Sequence, residues 1–522
     1  MLIHDFLEKS AESHPDAIAV VDQGIRKSYA DVNKAANQLA YALIGHGLKS
    51  GDRAVLVCEN SLAYIIAYYG LLKVGGICVS LNPETKPAGI EELLNELEPR
   101  ALIVSSNYEN SLLTIDFDRL GIRRFVIKNQ SEAGPVTLHL GSSSGDLLAS
   151  QPEDDPGLPI DPGSCAMIVY TSGSAGRPKG VMLTHANVVS NTRSIIDYLE
   201  LTSRDVQMVV LPFFYVMGKS LLNTHVAVGG RVVINNQFAY TASVIKQMAD
   251  EGVTGFSGVP STYAHLIYRS PLARYKDRLP ALRYCSQAGG HMPKHLKLEL
   301  LKILPAHTKL VIMYGATEAS ARLTYVPPEK LRDKIDSIGI PISGVSLSVL
   351  SAGGAVLGPG ETGELVARGD NIMIGYYRDE EATRKVLDWH GYHTGDLGYR
   401  DEDGYFYVTG RIDSQLKVGG HRIDSQEIED VIMESGKAIE CVVFGVPDSL
   451  LGLRLEGFFV PVERTADVES DILKYCREKL PKHKIPESLT IIGDIPKTSS
   501  GKIDRGEAVR LFQSLIGDKT DV

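Results

Sequence analysis

Short apolar runs alternate with helical patterns of apolar and polar residues over the first three quarters of the chain. The clearest runs are Arg53 to Cys58, Ala101 to Val104, Met208 to Leu211, Arg231 to Ile234 and Leu310 to Met313. Strands that alternate with helices favour layers of α/β structure with largely parallel sheets. We therefore predict a large α/β domain in this part of the chain.

The pattern changes near Gly410. Asp403-Gly404 predicts a hairpin turn ahead of a short aromatic strand, Tyr405 to Val408. A smaller α+β unit should follow, and its predicted elements are a helix from about Asp424, strands at Cys441 to Phe444 and Gly457 to Val462, and a helix over Asp471 to Leu480. We predict an N-terminal domain of residues 1–410, a hinge at 411–413 and a C-terminal domain of residues 414–522.

Composition excludes several classes of protein. The 522 residues carry a net charge of −10, and no large Lys/Arg cluster is present, which argues against nucleic-acid or membrane-surface binding. The most apolar stretch, Leu62 to Val79, contains Lys73 and glycines and predicts a buried helix followed by a strand rather than a membrane span. Six separated cysteines form no CxxC pair, and the N-terminus resembles no signal peptide, so we predict a reduced, cytoplasmic protein without a zinc site.

A Gly/Ser-rich loop follows the predicted strand Ala166 to Val169. It reads Thr171-Ser172-Gly173-Ser174-Ala175-Gly176-Arg177-Pro178-Lys179-Gly180. Glycines let backbone N–H groups approach an anion, while hydroxyls and the Lys179 ammonium add donors for phosphate. A flexible linker is the alternative interpretation, but an ordered Val-Met-Leu run follows directly. The loop lacks the Gly-Lys-Ser/Thr of a Walker A motif, which makes a P-loop ATPase improbable.

This loop resembles the signature of the adenylate-forming (ANL) superfamily, which includes acyl-CoA synthetases and aryl-acid ligases. The resemblance implies phosphate contacts from Thr171, Ser172, Gly173, Ser174, Gly176 and Lys179. Family members usually have two threonines where this chain has Ser174 and Ala175, so one hydroxyl is lost. The implied fold is a large N-terminal domain of layered α/β subdomains with a small, mobile α+β C-terminal domain.

Further motifs follow in the family's order. In Tyr314-Gly315-Ala316-Thr317-Glu318, the resemblance implies that the Tyr stacks on adenine, the Thr contacts the α-phosphate and the Glu holds Mg²⁺. Ala288-Gly289-Gly290-His291 resembles the glycine-rich strand end beside adenine and the acyl pocket. His291 is a candidate contact to the base, with a surface-loop histidine as the alternative.

The last motifs resemble the ribose site, the hinge and the catalytic loop. Asp396, in Tyr392-His393-Thr394-Gly395-Asp396, matches the residue that binds the ribose hydroxyls; His390 and His393 have no third ligand nearby, which argues against a metal. Arg411 matches the family's residue that contacts ribose and phosphate, and Asp413 matches the hinge residue. Gly419-Gly420 matches the face that the family presents to the thiol. Asp424 and Glu427 predict a helix capping box.

Lys502, in the loop Pro496 to Arg505, matches the lysine that bridges the substrate carboxylate and the α-phosphate. The resemblance thus implies an ATP-dependent acid–thiol ligase with Lys502, Thr317, Glu318 and Lys179 as catalytic residues. The carboxylic acid would become an acyl-AMP with release of pyrophosphate, and the acyl group would pass to CoA or to the phosphopantetheine of a separate acyl carrier protein. Cofactors would be ATP and Mg²⁺.

The predicted acid pocket is the segment Leu211 to Gly218, with Phe214, Tyr215 and Gly218 as substrate residues. No acidic residue lies between Leu211 and Leu222, which disfavours an α-amino acid. Lys219 has two interpretations, solvent exposure or a contact to a polar substrate group. The oligomeric state, monomer or homodimer, stays open.

Other functions remain as alternatives. An adenylating enzyme could transfer its acyl group to an amine, oxidise the adenylate, or activate an amino acid as a stand-alone domain. A catalytically silent binding protein is a further alternative, but it would be expected to have lost Lys502 or Glu318, and both are present.

Overall fold

The computed structural model describes residues 1–129, 135–141, 143, 145–171, 178–412, 415–418, 421–448, 452–498 and 501–520. Its helices are α1 (Asp5–Ser13), α2 (Tyr29–Gly45), α3 (Leu62–Lys73), α4 (Pro87–Leu97), α5 (His185–Leu199), α6 (Val216–Ala227), α7 (Thr241–Asp250), α8 (Pro260–Tyr268), α9 (Leu272–Tyr275), α10 (Lys294–Ile303), α11 (Glu380–Val386), α12 (Ser425–Glu434), α13 (Val468–Lys479) and α14 (Arg505–Thr520).

Two large sheets form the first part of the chain. The first sheet contains β3 (Arg53–Val57), β4 (Ile77–Leu81), β5 (Ala101–Ser105), β6 (Arg123–Lys128), β7 (Thr137–Leu140), β8 (Cys165–Thr171), β9 (Lys179–Thr184) and β19 (Gly375–Tyr376). Among the described residues its order is β19-β9-β8-β4-β3-β5-β6-β7. The strands from β8 to β6 are parallel and the edges are antiparallel, as the alternating pattern predicts.

The second sheet lies beside the first. Its members are β1 (Ile18–Asp22), β2 (Ile25–Ser28), β10 (Val206–Val209), β11 (Arg231–Ile234), β12 (Gly255–Gly258), β13 (Tyr284–Gln287), β14 (Lys309–Tyr314), β15 (Thr324–Tyr325) and β16 (Ile340–Pro341). The strands from β1 through β11 and β10 to β14 are parallel. β10 ends at Val209, short of the predicted Leu211, whose carbonyl accepts from the Asn60 amide at 2.8 Å.

A third, antiparallel sheet precedes the small domain. It is built from β17 (Val345–Leu350), β18 (Gly363–Gly369), β20 (Leu387–Asp388), β21 (Gly391–Arg400) and β22 (Phe406–Arg411). The register of β21 and β22 places Asp396 opposite Arg411. This pairing brings two of the predicted nucleotide residues together at one edge of the sheet.

The C-terminal part is a separate α+β unit with the predicted elements. Its strands are β23 (Gln415–Val418), β24 (His421–Asp424), β25 (Ala438–Asp448), β26 (Gly452–Pro461) and β27 (Ser488–Ile491). Asp424 caps α12 by accepting the N–H of Gln426 at 2.9 Å. The predicted capping box is incomplete, because the carboxylate of Glu427 pairs instead with Lys484 at 2.5 Å.

The apolar stretch Leu62 to Val79 forms α3 and most of β4, as predicted, and every residue of α3 is buried. Lys73 is 1% exposed and is neutralised by Glu8 of α1. In the described part of the chain, no helix is long and apolar enough to cross a membrane.

Candidate active site

The two described ends of the phosphate-binding candidate segment lie on neighbouring antiparallel strands. Thr171 ends β8, Lys179 begins β9, and the two residues pair across the hairpin. The hydroxyl of Thr171 donates to the carbonyl of Lys179 at 3.5 Å. Ser172, Gly173, Ser174 and Gly176 lie outside the described residues. The two described ends of the loop are therefore held in register by the sheet.

Lys179 contacts an aromatic side chain that the sequence analysis did not identify. Its Nζ lies 5.0 Å from the ring centroid of Tyr376, within the range of a cation–π interaction. The Tyr376 hydroxyl donates to Glu318 Oε1 at 2.8 Å. Tyr376 thus contacts both the ammonium of Lys179, at the start of β9, and the carboxylate of Glu318.

Glycine at position 315 is required by a close approach of the backbone. A Cβ there would lie 2.0 Å from the carbonyl oxygen of Ala321. The chain then forms a 3₁₀ turn over Thr317–Ala319, and the backbone N–H of Met373 donates to the carbonyl of Glu318 at 2.8 Å. This tight return places the side chains of Thr317 and Glu318 near β9.

Asp396 is held by two partners. The Tyr314 hydroxyl donates to its Oδ2 at 2.5 Å, and Arg411 Nη1 lies 3.3 Å from its Oδ1. Burial raises the pKa of Asp396, while the charges of Arg411 and Lys502 and the Tyr314 hydrogen bond act in the opposite direction. Tyr314, Asp396 and Arg411 therefore form one polar cluster from three separate motifs.

Lys502 reaches this cluster from the C-terminal unit. Desolvation by neighbouring atoms lowers the pKa of the Lys502 ammonium, although the residue as a whole is exposed. Glu318 and Asp396 partly offset that effect, and Arg411 adds to it. Lys502 and Arg411 thus lie close to the carboxylates of Glu318 and Asp396.

The Lys502 loop also contacts the large domain directly. The Ser261 hydroxyl donates to the carbonyl of Gly501 at 3.4 Å. Gly501 has φ +79°, and a Cβ there would lie 3.4 Å from Val259. Within the loop, the N–H of Thr498 donates to the carbonyl of Lys502 at 2.7 Å. Gly501, next to Lys502, therefore lies against the start of α8.

The glycine-rich strand end lies beside the predicted acid pocket. Gly289 has φ +85°, and a Cβ there would lie 3.1 Å from Val259 and 3.9 Å from the sulfur of Met217. The carbonyl of Gly290 accepts from the Gln287 amide at 2.8 Å. His291 pairs with Asp430 of the C-terminal unit at 3.0 Å, an interdomain contact that neither interpretation of His291 included.

The predicted acid-pocket residues lie at the start of α6. Phe214 and Tyr215 are half-buried, with ring centroids 4.5 Å apart. Phe213 is fully buried, and its backbone bonds to Asn60 and Tyr64. Gly218 lies so close to the backbone that a Cβ would be 2.1 Å from the Pro212 carbonyl.

Solvent exposure, one of the two interpretations of Lys219, is wrong. The residue is 2% exposed, and its Nζ has no hydrogen-bond partner among the described residues. Burial lowers its pKa to about 8. The ammonium lies 6.0 Å from the ring centroid of Tyr68 on α3.

Two further predicted residues lie outside the part of the chain that the structure describes. Asp413 at the hinge and Gly420 at the thiol face are not among the described residues. Within the described ranges, no group of three His, Cys, Asp or Glu residues that could hold a metal ion occurs. His393 instead bridges Glu364 at 2.8 Å and Asp388 at 3.1 Å.

The chain is similar to known proteins over nearly its whole length. Residues 7–377 match the AMP-binding enzyme family, and residues 427–502 match the AMP-binding enzyme C-terminal domain. Feruloyl-CoA synthase of an Amycolatopsis species is 30% identical over 97% of this chain and 98% of its own length. The putative acyl-CoA synthetase YngI of Bacillus subtilis is 29% identical over 97% of this chain and 96% of its own.

Solved structures share the whole fold. The anthranilate CoA ligase AuaEII, in complex with anthranoyl-AMP, superimposes with a TM-score of 0.88 at 23% identity and covers 98% of each chain. The o-succinylbenzoate CoA synthetase MenE of Bacillus subtilis, with its acyl-adenylate intermediate, gives 0.79 at 25% identity over 96% of this chain and 97% of its own. The predicted fold and the predicted class, an AMP-forming acid–thiol ligase, are confirmed. The chain belongs to the AMP-binding enzyme family.

Proposed function

We propose that the protein joins a small carboxylic acid to CoA in two half-reactions within the cleft around Lys502. The observation that carries the proposal is the convergence of Lys502 from the C-terminal unit with Glu318, Asp396 and Arg411 of the preceding part. A lysine on a solvated surface loop would not be expected beside these three charged residues. Two anions, a carboxylate and a triphosphate, must approach each other, and preplaced cations reduce their repulsion.

In the first half-reaction, a carboxylate oxygen of the acid attacks the α-phosphorus of ATP. A new P–O bond forms, the bond from the α-phosphorus to the bridging oxygen breaks, and pyrophosphate leaves with that electron pair. We propose that Lys502 bridges the two reacting anions, and that Thr317 donates to the α-phosphate. Lys179 and the loop from Thr171 would hold the outer phosphates.

The nucleoside would bind beside the Tyr314–Asp396–Arg411 cluster. A tyrosine ring offers a face for adenine, and a carboxylate accepts hydrogen bonds from ribose hydroxyls. The backbone of Gly289 and Gly290 would pass close to the base. His291 is now proposed as a domain contact, because it already pairs with Asp430.

Glu318 fits a role as Mg²⁺ ligand. Among the described residues its carboxylate accepts one hydrogen bond, from Tyr376, and forms no ion pair with a lysine or arginine, so oxygen lone pairs remain for a hard cation. The described residues contain no group of three acidic or His/Cys ligands. This agrees with a metal bound by one carboxylate and substrate phosphates. When bound, Mg²⁺ neutralises phosphate charge.

In the second half-reaction, the thiol sulfur would attack the acyl carbonyl, lose its proton, and release AMP as the acyl–oxygen bond breaks. Lys502 and the thiol both need access to the same reacting centre. We therefore propose that residues 414–522 rotate relative to residues 1–410 about the 411–413 hinge, withdrawing Lys502 and presenting Gly420. CoA is the proposed acceptor, and a carrier-protein phosphopantetheine is the competing thiol.

The acid would occupy the pocket at Phe214, Tyr215 and Gly218. Half-buried aromatic rings and the absence of a carboxylate suit an aryl or short to medium acyl group without an α-ammonium. Transfer to an amine and amino-acid activation are not favoured. The cytoplasmic location stays a prediction, and the oligomeric state, monomer or homodimer, stays open.

The test is acid-dependent exchange of labelled pyrophosphate into ATP. Ferulate, benzoate, o-succinylbenzoate, medium-chain fatty acids and amino acids would be compared with Mg²⁺ present. Exchange with one acid class, followed by acyl-CoA formation when CoA is added, supports the proposal. Production of ADP and orthophosphate as the only nucleotide products would contradict it. Comparing CoA with a phosphopantetheinylated carrier protein identifies the acceptor.

A further inference from the structure

Tyr376 makes two contacts at the candidate active site that no motif predicted. Its hydroxyl donates to Glu318 Oε1 at 2.8 Å, and its ring lies 5.0 Å from Lys179 Nζ. The two residues it connects are the proposed metal ligand and a proposed phosphate ligand. Its side chain lies between an anion and a cation that must act on the same triphosphate.

Tyr376 is itself held in place. It pairs with Val181 of β9, and its backbone N–H donates to the Thr383 hydroxyl at 2.9 Å. The residue is 6% exposed. Because Lys179 begins the strand that pairs with Tyr376, the sheet fixes the ring relative to the lysine backbone.

Asn371 and Met373, which precede Tyr376, hold the turn at Glu318 by donating hydrogen bonds to backbone carbonyls of that turn. Met373 donates to the Glu318 carbonyl, and the Asn371 amide donates to the carbonyls of Ala319 and Arg322 at 3.0 and 2.9 Å. Ser320 and Ala321 have φ of +56° and +126°, in a region that costs non-glycine residues energy. Such a turn persists only where its surroundings hold it, and Asn371 and Met373 provide those bonds.

We propose that Tyr376 is a positioning residue for adenylation: its hydroxyl fixes the Glu318 carboxylate and its ring fixes Lys179, so that both converge on the metal-bound phosphates. This rests on the proposed function and adds to it a residue outside the resemblance motifs. Replacement of Tyr376 should change the binding of metal and nucleotide and leave the binding of the acid unchanged. Replacement of a tyrosine that only packs in the core would not show this selectivity.

Tyr376→Phe tests the hydroxyl, because it keeps the ring and the packing. Tyr377→Phe is the matched control, since its neighbouring hydroxyl donates to the carbonyl of Leu97 at 3.4 Å, away from Glu318. The first readout is binding of Mn²⁺ to the full chain with α,β-methylene-ATP, followed by electron paramagnetic resonance. A lost hydrogen bond to a charged group predicts affinity about tenfold weaker in Tyr376→Phe and unchanged in Tyr377→Phe.

The second readout is pyrophosphate exchange. Tyr376→Phe should raise the Mg²⁺ concentration needed for half-maximal rate and lower kcat about tenfold, with the KM for the acid unchanged. In a Glu318→Gln background the same change should have little further effect, because the carboxylate it positions is gone. Tyr376→Leu should lower the rate further by removing the ring beside Lys179.

Two failures are distinguishable. A wild-type chain without acid-dependent exchange would overturn the proposed function, and the inference with it. Exchange in the wild type with the same Mn²⁺ affinity and Mg²⁺ dependence in Tyr376→Phe would overturn the inference alone. An equal effect of Tyr376→Phe with and without Glu318 would also overturn it, because the tyrosine would then act through packing.

Discussion

His291 of the large domain and Asp430 of the small domain contact each other, with Nε2 and Oδ1 3.0 Å apart. Both side chains are partly exposed, at 38% and 39%. The pair exists in the arrangement in which Lys502 enters the cleft. The proposed rotation of the small domain would break this contact, so we predict that the contact favours the arrangement proposed for adenylation.

Asp430→Asn should therefore slow adenylation modestly and leave thioester formation from added acyl-adenylate intact or slightly faster. Partly exposed pairs contribute about 0.2–1 kcal/mol, which limits the effect to a factor of about five. Stopped-flow measurement of both half-reactions at low salt tests this. Asp471→Asn is the control, because Asp471 pairs with Lys437 inside the small domain at 2.6 Å. Equal slowing in both variants would argue against an interdomain role.

A second prediction concerns Lys219, whose buried amine has no hydrogen-bond partner in the described structure. Burial lowers its pKa from 10.5 to about 8. Between those values the unfolded chain binds more protons than the folded chain, so the free energy of unfolding rises with pH through this interval. The whole interval corresponds to about 3 kcal/mol, at about 1.4 kcal/mol per unit.

Lys219→Met should remove that pH dependence and be more stable than the wild type at pH 7, since an apolar side chain of similar length replaces a buried charge. Urea unfolding at pH 7, 8, 9 and 10 measures the difference. If the free energy of unfolding changed with pH in the same way in both proteins, Lys219 would be charged and paired in the folded chain. Altered acid preference in the variant would support the contact to a polar substrate group.

A third prediction concerns His393. Partial burial opposes its charged form, but hydrogen bonds from His393 to Glu364 and Asp388 outweigh that effect and raise its pKa. Its contribution to stability is therefore fully present below the ordinary pKa of 6.5 and is lost as pH rises through the raised value. His393→Gln should cost most stability near pH 6 and less at pH 9, in thermal unfolding scans. A loss of stability that did not vary with pH would contradict this prediction. His390→Gln serves as the control variant.

The motifs predicted much of the site, and the structure shows why the rest was beyond them. Asp396 and Arg411 could be identified because each lies in a local pattern. Tyr376 acts on Glu318 across 58 positions of sequence, through the pairing of β19 with β9. Such a contact depends on tertiary packing, and the pair Tyr376-Tyr377 carries no local signal to separate the two.

Long-range contacts of charged residues were the other unpredicted feature. Lys219 follows the acid-pocket segment, and it is buried with Tyr68 of α3 and Cys78 of β4 as neighbours. Glu427 was expected to complete a capping box, but the nearby Lys484 offers its carboxylate a charged partner. In both cases a long-range neighbour decided the outcome over the local pattern. The fold class, which depends on local periodicity, agrees with the prediction, and the predicted strands are present although the bounds of some, such as β10, are shifted.

A fourth prediction concerns the acid. No acidic residue lies between Leu211 and Leu222 to hold an α-ammonium, and the nearby buried Lys219 would repel one. Free α-amino acids should therefore be poor substrates, by at least about a hundredfold in kcat/KM relative to the matching acid without the amine. Pyrophosphate exchange with phenylalanine and with 3-phenylpropionate gives a matched comparison. Faster exchange with phenylalanine would contradict the proposed pocket.

The central claim is that Lys502 serves adenylation and leaves before the thiol reacts. Rapid-quench measurement of both half-reactions in Lys502→Ala tests it most directly, with Lys497→Ala as control, because Lys497 lies in the same loop but pairs with Glu440 at 2.8 Å. We predict adenylation slower by about a hundredfold or more, thioester formation from synthetic acyl-adenylate near the wild-type rate, and unchanged folding stability. Equal slowing of both half-reactions would contradict the account.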